Sequence, residues 1–233
     1  MIHQQYLRLV LFDIDGTLIS TNGVAKHTFI EAAGESFGLA SRNWDYDFAG
    51  KTDQQIYNEI TELAGIAPEQ REQRKDQVFD TFFTLLEQRL TTDNVAILPG
   101  VRTLLDALEQ EEAATSALLT GNMLRGARIK LTPPDLLRYF AFGAFGSDAY
   151  HRHELPEIAK SRAYDRLGVV FRAKEIVIIG DTPHDIDCGR HLNVRSIAVA
   201  TGGYSHEQLA THGPDYLFEN LADTERVLDA IFA

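Results

Sequence analysis

The sequence predicts an α/β fold, a doubly wound parallel sheet with an all-helical segment inserted after its first strand. Three observations predict it. Short apolar, β-rich runs alternate with amphipathic helical patterns along most of the chain. The first three of these runs end in polar loops, as expected where the carboxyl ends of parallel strands carry a site. Residues 20–96 interrupt the alternation, because they contain helical patterns and no convincing strand.

Five runs are predicted strands. The first, residues 7–14, reads LRLVLFDI and leads into Asp15-Gly16-Thr17. Its uniform apolar character is typical of a parallel strand buried on both faces. The other four runs are residues 117–119, 175–179, 195–200 and 215–218.

Amphipathic helices are predicted between the strands. After Pro99-Gly100, apolar residues recur at three- and four-residue spacing, which is the period of a helix packed on one face; they are Val101, Leu104, Leu105 and Leu108. Residues 185–192 and 222–232 have the same pattern. The clearest helix of the inserted segment contains Val78, Phe79, Phe82, Leu85, Leu86 and Leu90. We therefore predict a core of residues 1–19 and 97–233 and a helical insertion of residues 20–96, joined by two hinges.

Composition and charge limit the class of protein. Hydrophobic residues make up 44% of the chain and charged residues 24%, as in ordinary globular proteins. The formal net charge of −12 argues against nucleic acid or an anionic membrane surface as a partner. A single cysteine, Cys188, forms no internal disulfide, and the N-terminus is too polar for a signal peptide. We expect a soluble cytoplasmic protein, monomeric or homodimeric, whose partner is a small molecule.

Asp13 and Asp15 close the first strand, and alternation along an extended backbone places both on one side. Two carboxylates this close repel each other unless a cation lies between them or one keeps a proton. Both arrangements suit phosphoryl transfer, in which Mg²⁺ neutralises one acid while the other exchanges protons. The alternative interpretation is a solvated Asp-Gly turn after a strand.

A second acidic pair follows the strand at residues 175–179. Asp181 comes directly after it, and Asp185 lies four residues on, about one helical turn. Capping of the next helix explains Asp181 alone. Together with Asp13 and Asp15, the pair favours a magnesium site, because Mg²⁺ takes oxygen ligands that converge from several loops.

Groups that bind phosphate oxygens are also present. Thr120, Gly121 and Asn122 follow the strand at residues 117–119, and they offer a hydroxyl and backbone N–H groups. A cation is expected on the other side of the phosphate. Arg152 and Lys160 are the candidates, although each is equally well explained as a surface charge.

Four short sequence blocks follow one another along the chain: the first acidic pair, the Thr-Gly-Asn stretch, the candidate cations and the second acidic pair. In this order they resemble the haloacid dehalogenase superfamily of phosphohydrolases, with its Rossmann-like core. The resemblance covers essentially the whole chain, and FDIDGTL around Asp13 is its most specific part. It implies that Asp13 forms an aspartyl-phosphate and that Thr120 belongs to the second block. It also implies that Asp13, Asp181 and the backbone carbonyl of Asp15 hold Mg²⁺, with Asp185 supporting the metal.

The third block departs from the family pattern. Relatives usually have Lys-Pro shortly before a helix, whereas this chain has HRHELP at residues 151–156. Arg152 is the nearest cation to the expected position and Lys160 is the alternative, so the sequence leaves both open.

The helical insertion is similar to the small cap of phosphoglycolate phosphatases, β-phosphoglucomutase and phosphonoacetaldehyde hydrolase. Residues 48–53, FAGKTD, resemble the Gly-x-Thr-Asp loop by which such caps face the core. The resemblance implies that Lys51 and Thr52, with Gly121 and Asn122 of the core, bind substrate. A capped helix start at Thr52 or Asp53 is the alternative interpretation.

The expected activity is Mg²⁺-dependent hydrolysis of a small phosphate monoester through an aspartyl-phosphate, with Asp15 as proton donor and acceptor. A sugar-phosphate mutase keeps the same blocks and stays open as the alternative. Phosphonate cleavage is less favoured, since it needs a reactive cap lysine such as Lys51. A catalytically inactive binding protein is also less favoured, because all four acids are present.

Overall fold

A six-stranded parallel sheet forms the centre of the protein. The computed structural model describes residues 7–39 and 46–233; residues 1–6 of the predicted core and 40–45 of the predicted insertion lie outside the described residues. The strands are Arg8–Phe12 (β1), Ile19–Ser20 (β2), Ala96–Ile97 (β3), Ala114–Thr120 (β4), Gly143–Phe145 (β5), Ile176–Gly180 (β6), Arg195–Val199 (β7) and Tyr216–Phe218 (β8). The helices are Val24–Phe37 (α1), Asp53–Leu63 (α2), Pro68–Arg89 (α3), Val101–Gln110 (α4), Leu124–Leu131 (α5), Leu155–Leu167 (α6), Pro183–Cys188 (α7), His206–Ala210 (α8) and Thr224–Phe232 (α9).

The strand order is β5-β4-β1-β6-β7-β8, so β1 lies between β4 and β6. Apolar side chains alternate to the two faces of β1, and all four of its last residues are fully buried. Val10 and Phe12 belong to the core that includes α4 and α9, while Leu9 and Leu11 belong to the core that includes α6. Helices therefore cover both faces, and the predicted doubly wound sheet is confirmed.

The inserted segment contains α1, α2 and α3. Its entry and exit lie side by side, because β2 pairs antiparallel with β3. Inside it, aromatic rings pack edge to face or tilted around Phe29 and Phe79. Thr52 begins α2 by accepting a 3.1 Å hydrogen bond from the Gln55 amide. The use of residues 20–96 as a separate cap stays a prediction.

Three local predictions differ from the structure. The sheet contains β5, a strand of three residues that was not predicted because two of them, Gly143 and Ala144, are uncommon in strands. The borders of the insertion carry the two-residue strands β2 and β3, where no strand was predicted. The helix predicted at residues 185–192 is split: α7 ends at Cys188, Gly189 follows, and a single 3₁₀ turn covers Arg190–Leu192.

Within the described ranges, none of the helices combines the length and the apolar character that crossing a membrane would need.

Candidate active site

The carboxyl ends of β1, β4 and β6 meet at one edge of the sheet, and a cavity of about 510 Å³ opens there. Asp13 and Asp15 follow β1, Thr120 ends β4, and Asp181 follows β6. The Asp13 amide donates a 3.0 Å hydrogen bond to the Ile179 carbonyl, which continues the β1–β6 ladder to the nucleophile candidate. Adjacent parallel strands thus bring together three of the four sequence blocks.

Asp13, Asp181 and Asp185 form a buried carboxylate cluster, with one oxygen of each within 4.8 Å of the others. Burial raises the pKa of Asp13 to about 6, although the nearby Arg152 guanidinium opposes this. Burial, and then the carboxylates of Asp185 and Asp13, raise the pKa of Asp181 well above its ordinary value. Three acids at such distances need positive charge between them to stay ionised together.

Arg152 supplies part of that charge. Its side chain is 5% exposed, and its Nη2 lies 3.2 Å from Asp13 Oδ1 and also donates to Asp185 Oδ1. Burial disfavours the charged guanidinium, but Asp13 and Asp185 raise the pKa of Arg152 above its ordinary value. Of the two cations that the sequence left open, Arg152 is the one that the fold places in the cavity.

Asp185 is held by the start of α7. Its Oδ2 accepts hydrogen bonds from the Thr182 amide at 3.0 Å and the Thr182 hydroxyl at 2.6 Å. The other oxygen accepts from Arg152. These hydrogen bonds fix the Asp185 carboxylate beside Asp13 and Asp181.

Asp181 is fixed from two sides. Thr17 Oγ1 donates a 2.9 Å hydrogen bond to its Oδ1. A Cβ atom at Gly16 or at Gly202 would overlap the Asp181 carboxylate, and Gly16 also has a φ of +83°. Both glycines are therefore required for this carboxylate to lie at the cavity wall.

Asp15 belongs to a polar network on the opposite side of the cavity. Asn122 Nδ2 donates to Asp15 Oδ2 at 2.8 Å and to Thr120 Oγ1 at 2.9 Å. Lys130 Nζ donates to Asp15 Oδ2 and to Asn122 Oδ1, each at 2.6 Å. Thr120 Oγ1 accepts from Asn122, so its own O–H proton is left for another acceptor in the cavity.

The cap loop lies directly against the core loop after β4. The Asp53 amide donates a 2.8 Å hydrogen bond to the Gly121 carbonyl. Asp53 Oδ2 accepts a 2.7 Å hydrogen bond from the Met123 amide. Gln54 Nε2 donates to the Gly146 carbonyl at 2.6 Å. One backbone hydrogen bond and two between a side chain and the backbone therefore hold residues 53–54 against the core loops.

The two predicted cap residues have different surroundings. Lys51 lines the cavity, and its Nζ donates to Tyr46 Oη at 2.6 Å and to Glu59 at 2.8 Å. Thr52 is fully buried, and its hydroxyl donates to the Tyr150 carbonyl at 2.7 Å while it caps α2. The structure gives Thr52 the helix-capping position that the sequence offered as the alternative, away from the cavity wall.

Lys160 does not reach the cavity. It lies on α6 and pairs with Glu157 at 3.2 Å, one turn away on the same helix. The prediction that Lys160 shares the cavity as a catalytic cation is corrected by this position, because Lys160 borders a separate surface pocket with Tyr164 and Val170.

Two buried charged residues of the cavity, Lys130 and Asp53, were not predicted as site residues. Lys130 is 5% exposed on α5, and Asp53 is 8% exposed at the start of α2. Burial raises the pKa of Asp53 to about 6, while Lys130 opposes the shift. The sequence carried one signal for Lys130, since it falls on the same helix face as Ala127 and Leu131, where a lysine is rare.

The residues present fit a divalent cation. All three clustered side chains offer hard oxygen ligands. Asp13 Oδ1 is buried and has no hydrogen-bond partner among the described residues, as expected for an oxygen that completes its bonding with a ligand.

Comparison with known proteins gives the family. The family model for haloacid dehalogenase-like hydrolases matches residues 10–199. Pyrophosphatase PpaX of Oceanobacillus iheyensis is 27% identical, over 97% of this chain and 99% of its own. A phosphoglycolate phosphatase of Vibrio parahaemolyticus is 24% identical, over 97% of both chains.

Two solved structures share the fold. β-Phosphoglucomutase from Clostridium difficile has a TM-score of 0.73 at 16% identity and 97% coverage of both chains. A hydrolase from Pseudomonas syringae has a TM-score of 0.71 at 20% identity, over 97% of this chain and 100% of its own. The family match spans most of the sequence, and the chain therefore belongs to the haloacid dehalogenase-like hydrolases.

Proposed function

We propose that this hydrolase is a Mg²⁺-dependent phosphatase that acts on a small phosphate monoester through an aspartyl-phosphate at Asp13. The observation that carries the proposal is the convergence of Asp13, Asp15, Thr120 and Arg152 on one cavity at the sheet edge. The relatives named as pyrophosphatase and phosphoglycolate phosphatase support the same class of reaction.

In the first step a carboxylate oxygen of Asp13 attacks phosphorus, and the bond to the leaving oxygen breaks. Asp15 gives that oxygen its proton. In the second step Asp15 takes a proton from water, and the water oxygen attacks the aspartyl-phosphate. The bond between phosphorus and Asp13 then breaks, which releases inorganic phosphate and restores both acids.

The other residues stabilise charge on the phosphoryl oxygens. The Thr120 hydroxyl donates a hydrogen bond to a phosphoryl oxygen, and Arg152 faces Asp13 from the side of α6. Bound Mg²⁺, held by Asp13, Asp181 and the Asp15 carbonyl with Asp185 behind them, would neutralise the phosphoryl oxygens and orient the phosphate. Closure of the cap excludes bulk water, which keeps the reacting charges in a low-dielectric site.

The charges of the cavity wall explain why the cation is needed. Five acids and four cationic side chains line it, a formal charge of −1; they are Asp13, Asp15, Asp47, Asp53, Asp181, Lys26, Lys51, Lys130 and Arg152. One divalent cation makes the sum +1, so an anionic substrate is attracted only to the metal-loaded site.

The cap side of the cavity favours a leaving group that is itself anionic. Lys26 and Lys51 both line the wall there, and Lys26 Nζ lies 5.2 Å from the centre of the Phe48 ring. Phosphoglycolate and pyrophosphate, the compounds in the names of the two relatives, both have such a leaving group. Lys51 is engaged by Glu59, which disfavours a free amine for phosphonate cleavage.

Rapid acid quenching tests the proposal. The protein is mixed with Mg²⁺ and phosphoglycolate, pyrophosphate or an aryl phosphate, and intact mass and peptide mapping locate any phosphoryl group. We expect the label on the peptide that contains Asp13. In Asp13→Asn turnover should fall on the order of 10⁴- to 10⁶-fold, whereas Asp187→Asn, an exposed change on α7, should behave as wild type.

Two results would count against this function. A folded Asp13→Asn protein with more than about a tenth of wild-type turnover would exclude covalent catalysis at this residue. A phosphorylated isomer that accumulates without inorganic phosphate would indicate the mutase instead; ¹⁸O from water in the released phosphate would indicate the hydrolase.

A further inference from the structure

Lys130 is a buried cation of the cavity to which the proposed mechanism gives no role. It lies in the last turn of α5, and its side chain is 7% exposed. A buried ammonium is costly unless carboxylates and hydrogen bonds compensate it. Here the compensation comes from two residues at the reaction centre, Asp15 and Asn122.

The geometry of these contacts is asymmetric. Lys130 Nζ and Asn122 Nδ2 both donate to Asp15 Oδ2, at 2.6 Å and 2.8 Å. Asp15 Oδ1 accepts no hydrogen bond from any described residue, although the Asp15 side chain is 41% exposed on the cavity wall. Two donors thus hold Asp15 Oδ2, and Oδ1 is left available to a ligand in the cavity.

The three side chains of Lys130, Asn122 and Asp15 are each hydrogen-bonded to the other two. Lys130 also donates to Asn122 Oδ1, which fixes the orientation of the amide that contacts Asp15 and Thr120. Loss of the ammonium would free Asn122 to rotate and Asp15 to take other rotamers. Lys130 therefore helps to fix the position of the Asp15 carboxyl group, both directly and through Asn122.

We propose that Lys130 is a positioning residue that, through Asp15 Oδ2 and Asn122, aims Asp15 Oδ1 at the leaving oxygen of the substrate. The inference rests on the proposed function and adds a residue to it. Lys130 acts through Asp15 in both steps, but only the first step depends on the leaving group. In that step, which kcat/KM reports, substrates whose leaving group departs without a proton should be insensitive to Lys130.

A leaving-group series measures this dependence. Wild type, Lys130→Met, Lys130→Arg and the control Arg128→Met, an exposed residue on the same helix, are compared on phenyl, 4-nitrophenyl and 2,4-dinitrophenyl phosphate with Mg²⁺. Lys130→Met should lose on the order of 10²-fold in kcat/KM with the phenyl ester, the contribution of a well-placed general acid in the first step. With the dinitrophenyl ester the loss should be within about threefold. Lys130→Arg should recover part of the phenyl ester rate.

A double-mutant cycle gives a second readout. In the Asp15→Asn background, Lys130→Met should cost little more, because both changes remove the same contribution. Thermal melting checks that each variant is folded. If Lys130→Met does not fold, Lys130→Gln, which keeps one donor, replaces it with the same expected direction.

The outcomes distinguish the positioning role of Lys130 from the proposed phosphatase function. An equal loss of kcat/KM for all three esters, or additive losses in the cycle, would overturn the positioning role and leave the phosphatase intact. A wild-type protein that hydrolyses none of these esters, nor phosphoglycolate or pyrophosphate, would overturn the proposed function and this inference with it.

Discussion

At the scale of single residues, Asp13 and Asp15 show how two identical side chains acquire different tasks. The Asp13 side chain is 7% exposed and lies beside the Arg152 guanidinium, whereas the Asp15 side chain is 41% exposed and is held by Lys130. A buried carboxylate next to a fixed cation suits attack on phosphorus. A half-exposed carboxyl group with one free oxygen suits proton exchange with a leaving group or water.

Arg152 and Lys160 can be separated by a matched pair of substitutions. Arg152→Met leaves Asp13 and Asp185 without their shared cation, so we expect kcat/KM to fall on the order of 10²- to 10³-fold. Lys160→Met removes only a pair between exposed neighbours on α6, and its activity should stay within about twofold of wild type. Steady-state kinetics on the same substrate measures both. The reverse ranking of the two variants would restore Lys160 to the site.

Residue-level prediction succeeded where chemistry and strand position coincide. Asp13, Asp15, Thr120 and Asp181 were placed correctly at one sheet edge because strand ends can be read from apolar runs. Lys130 was missed because its contacts with Asp15 depend on how α5 packs, and a helical period alone does not give that. The proposed roles of all these residues await the measurements above.

At the scale of elements, the loop before α2 lies against the loop after β4, and we expect this contact to control access to the cavity. A Cβ atom at Gly121 would overlap the Lys51 carbonyl oxygen, so only glycine allows this approach. Gly121→Ala should therefore push the cap loop away and lower kcat/KM on the order of 10- to 10²-fold, the cost of displacing a positioned group.

Gly203→Ala is the matched control. Gly203 also lines the cavity, but a Cβ atom there has no neighbour within 4 Å. Kinetics and thermal melting of both variants test the role of the loop contact. Equal kinetics for Gly121→Ala and Gly203→Ala would show that closure does not depend on the contact at Gly121.

Asp53, in the same loop, makes the free energy of unfolding depend on pH. Burial raises its pKa from 3.8 to about 6, so the folded protein holds this proton more tightly than the unfolded chain does. The stabilisation is complete below about 3.8 and is lost as the pH rises through about 6. The ionised carboxylate then costs on the order of 2–3 kcal/mol of unfolding free energy.

Asp53→Asn removes this titration while it keeps an acceptor for the Met123 amide. We expect it to raise the free energy of unfolding at pH 8 and to have little effect near pH 4. Urea unfolding at several pH values measures the difference, and Asp76→Asn on the exposed face of α3 provides the control. A difference from wild type that does not change with pH would contradict the assignment.

Elements were predicted where their local sequence pattern is strong. Long apolar strands such as β1 and β6 and the long helix α3 were predicted because each repeats its pattern several times. β5 was missed because Gly143 and Ala144 have low β propensity, whereas β8, which is equally short, reads Tyr-Leu-Phe. The position of β5 is set by pairing with β4. The helix at Asp185 was predicted too long because the break at Gly189 depends on packing against Val194 and Ile178.

At the scale of the whole molecule, the net charge of −12 repels the anions that the cavity is proposed to bind. Binding must therefore come from a local concentration of positive charge. The same acidic surface attracts divalent cations without specificity, so a metal effect has to be assigned to the carboxylate cluster by a variant and not by addition of metal alone.

Mg²⁺ should act on both activity and stability through Asp13, Asp181 and Asp185. Activity should disappear with excess chelator and return with Mg²⁺, whereas Ca²⁺, which takes more ligands at longer distances, should restore little. Mg²⁺ at about 100 times its Kd should stabilise the fold by about 2.7 kcal/mol, because it relieves repulsion among three buried carboxylates. Thermal melting at constant ionic strength should show a rise in Tm for wild type and for the exposed variant Asp187→Asn, and a much smaller rise for Asp181→Asn. Full activity in chelator, or an equal Tm shift in Asp181→Asn, would contradict a metal at this cluster.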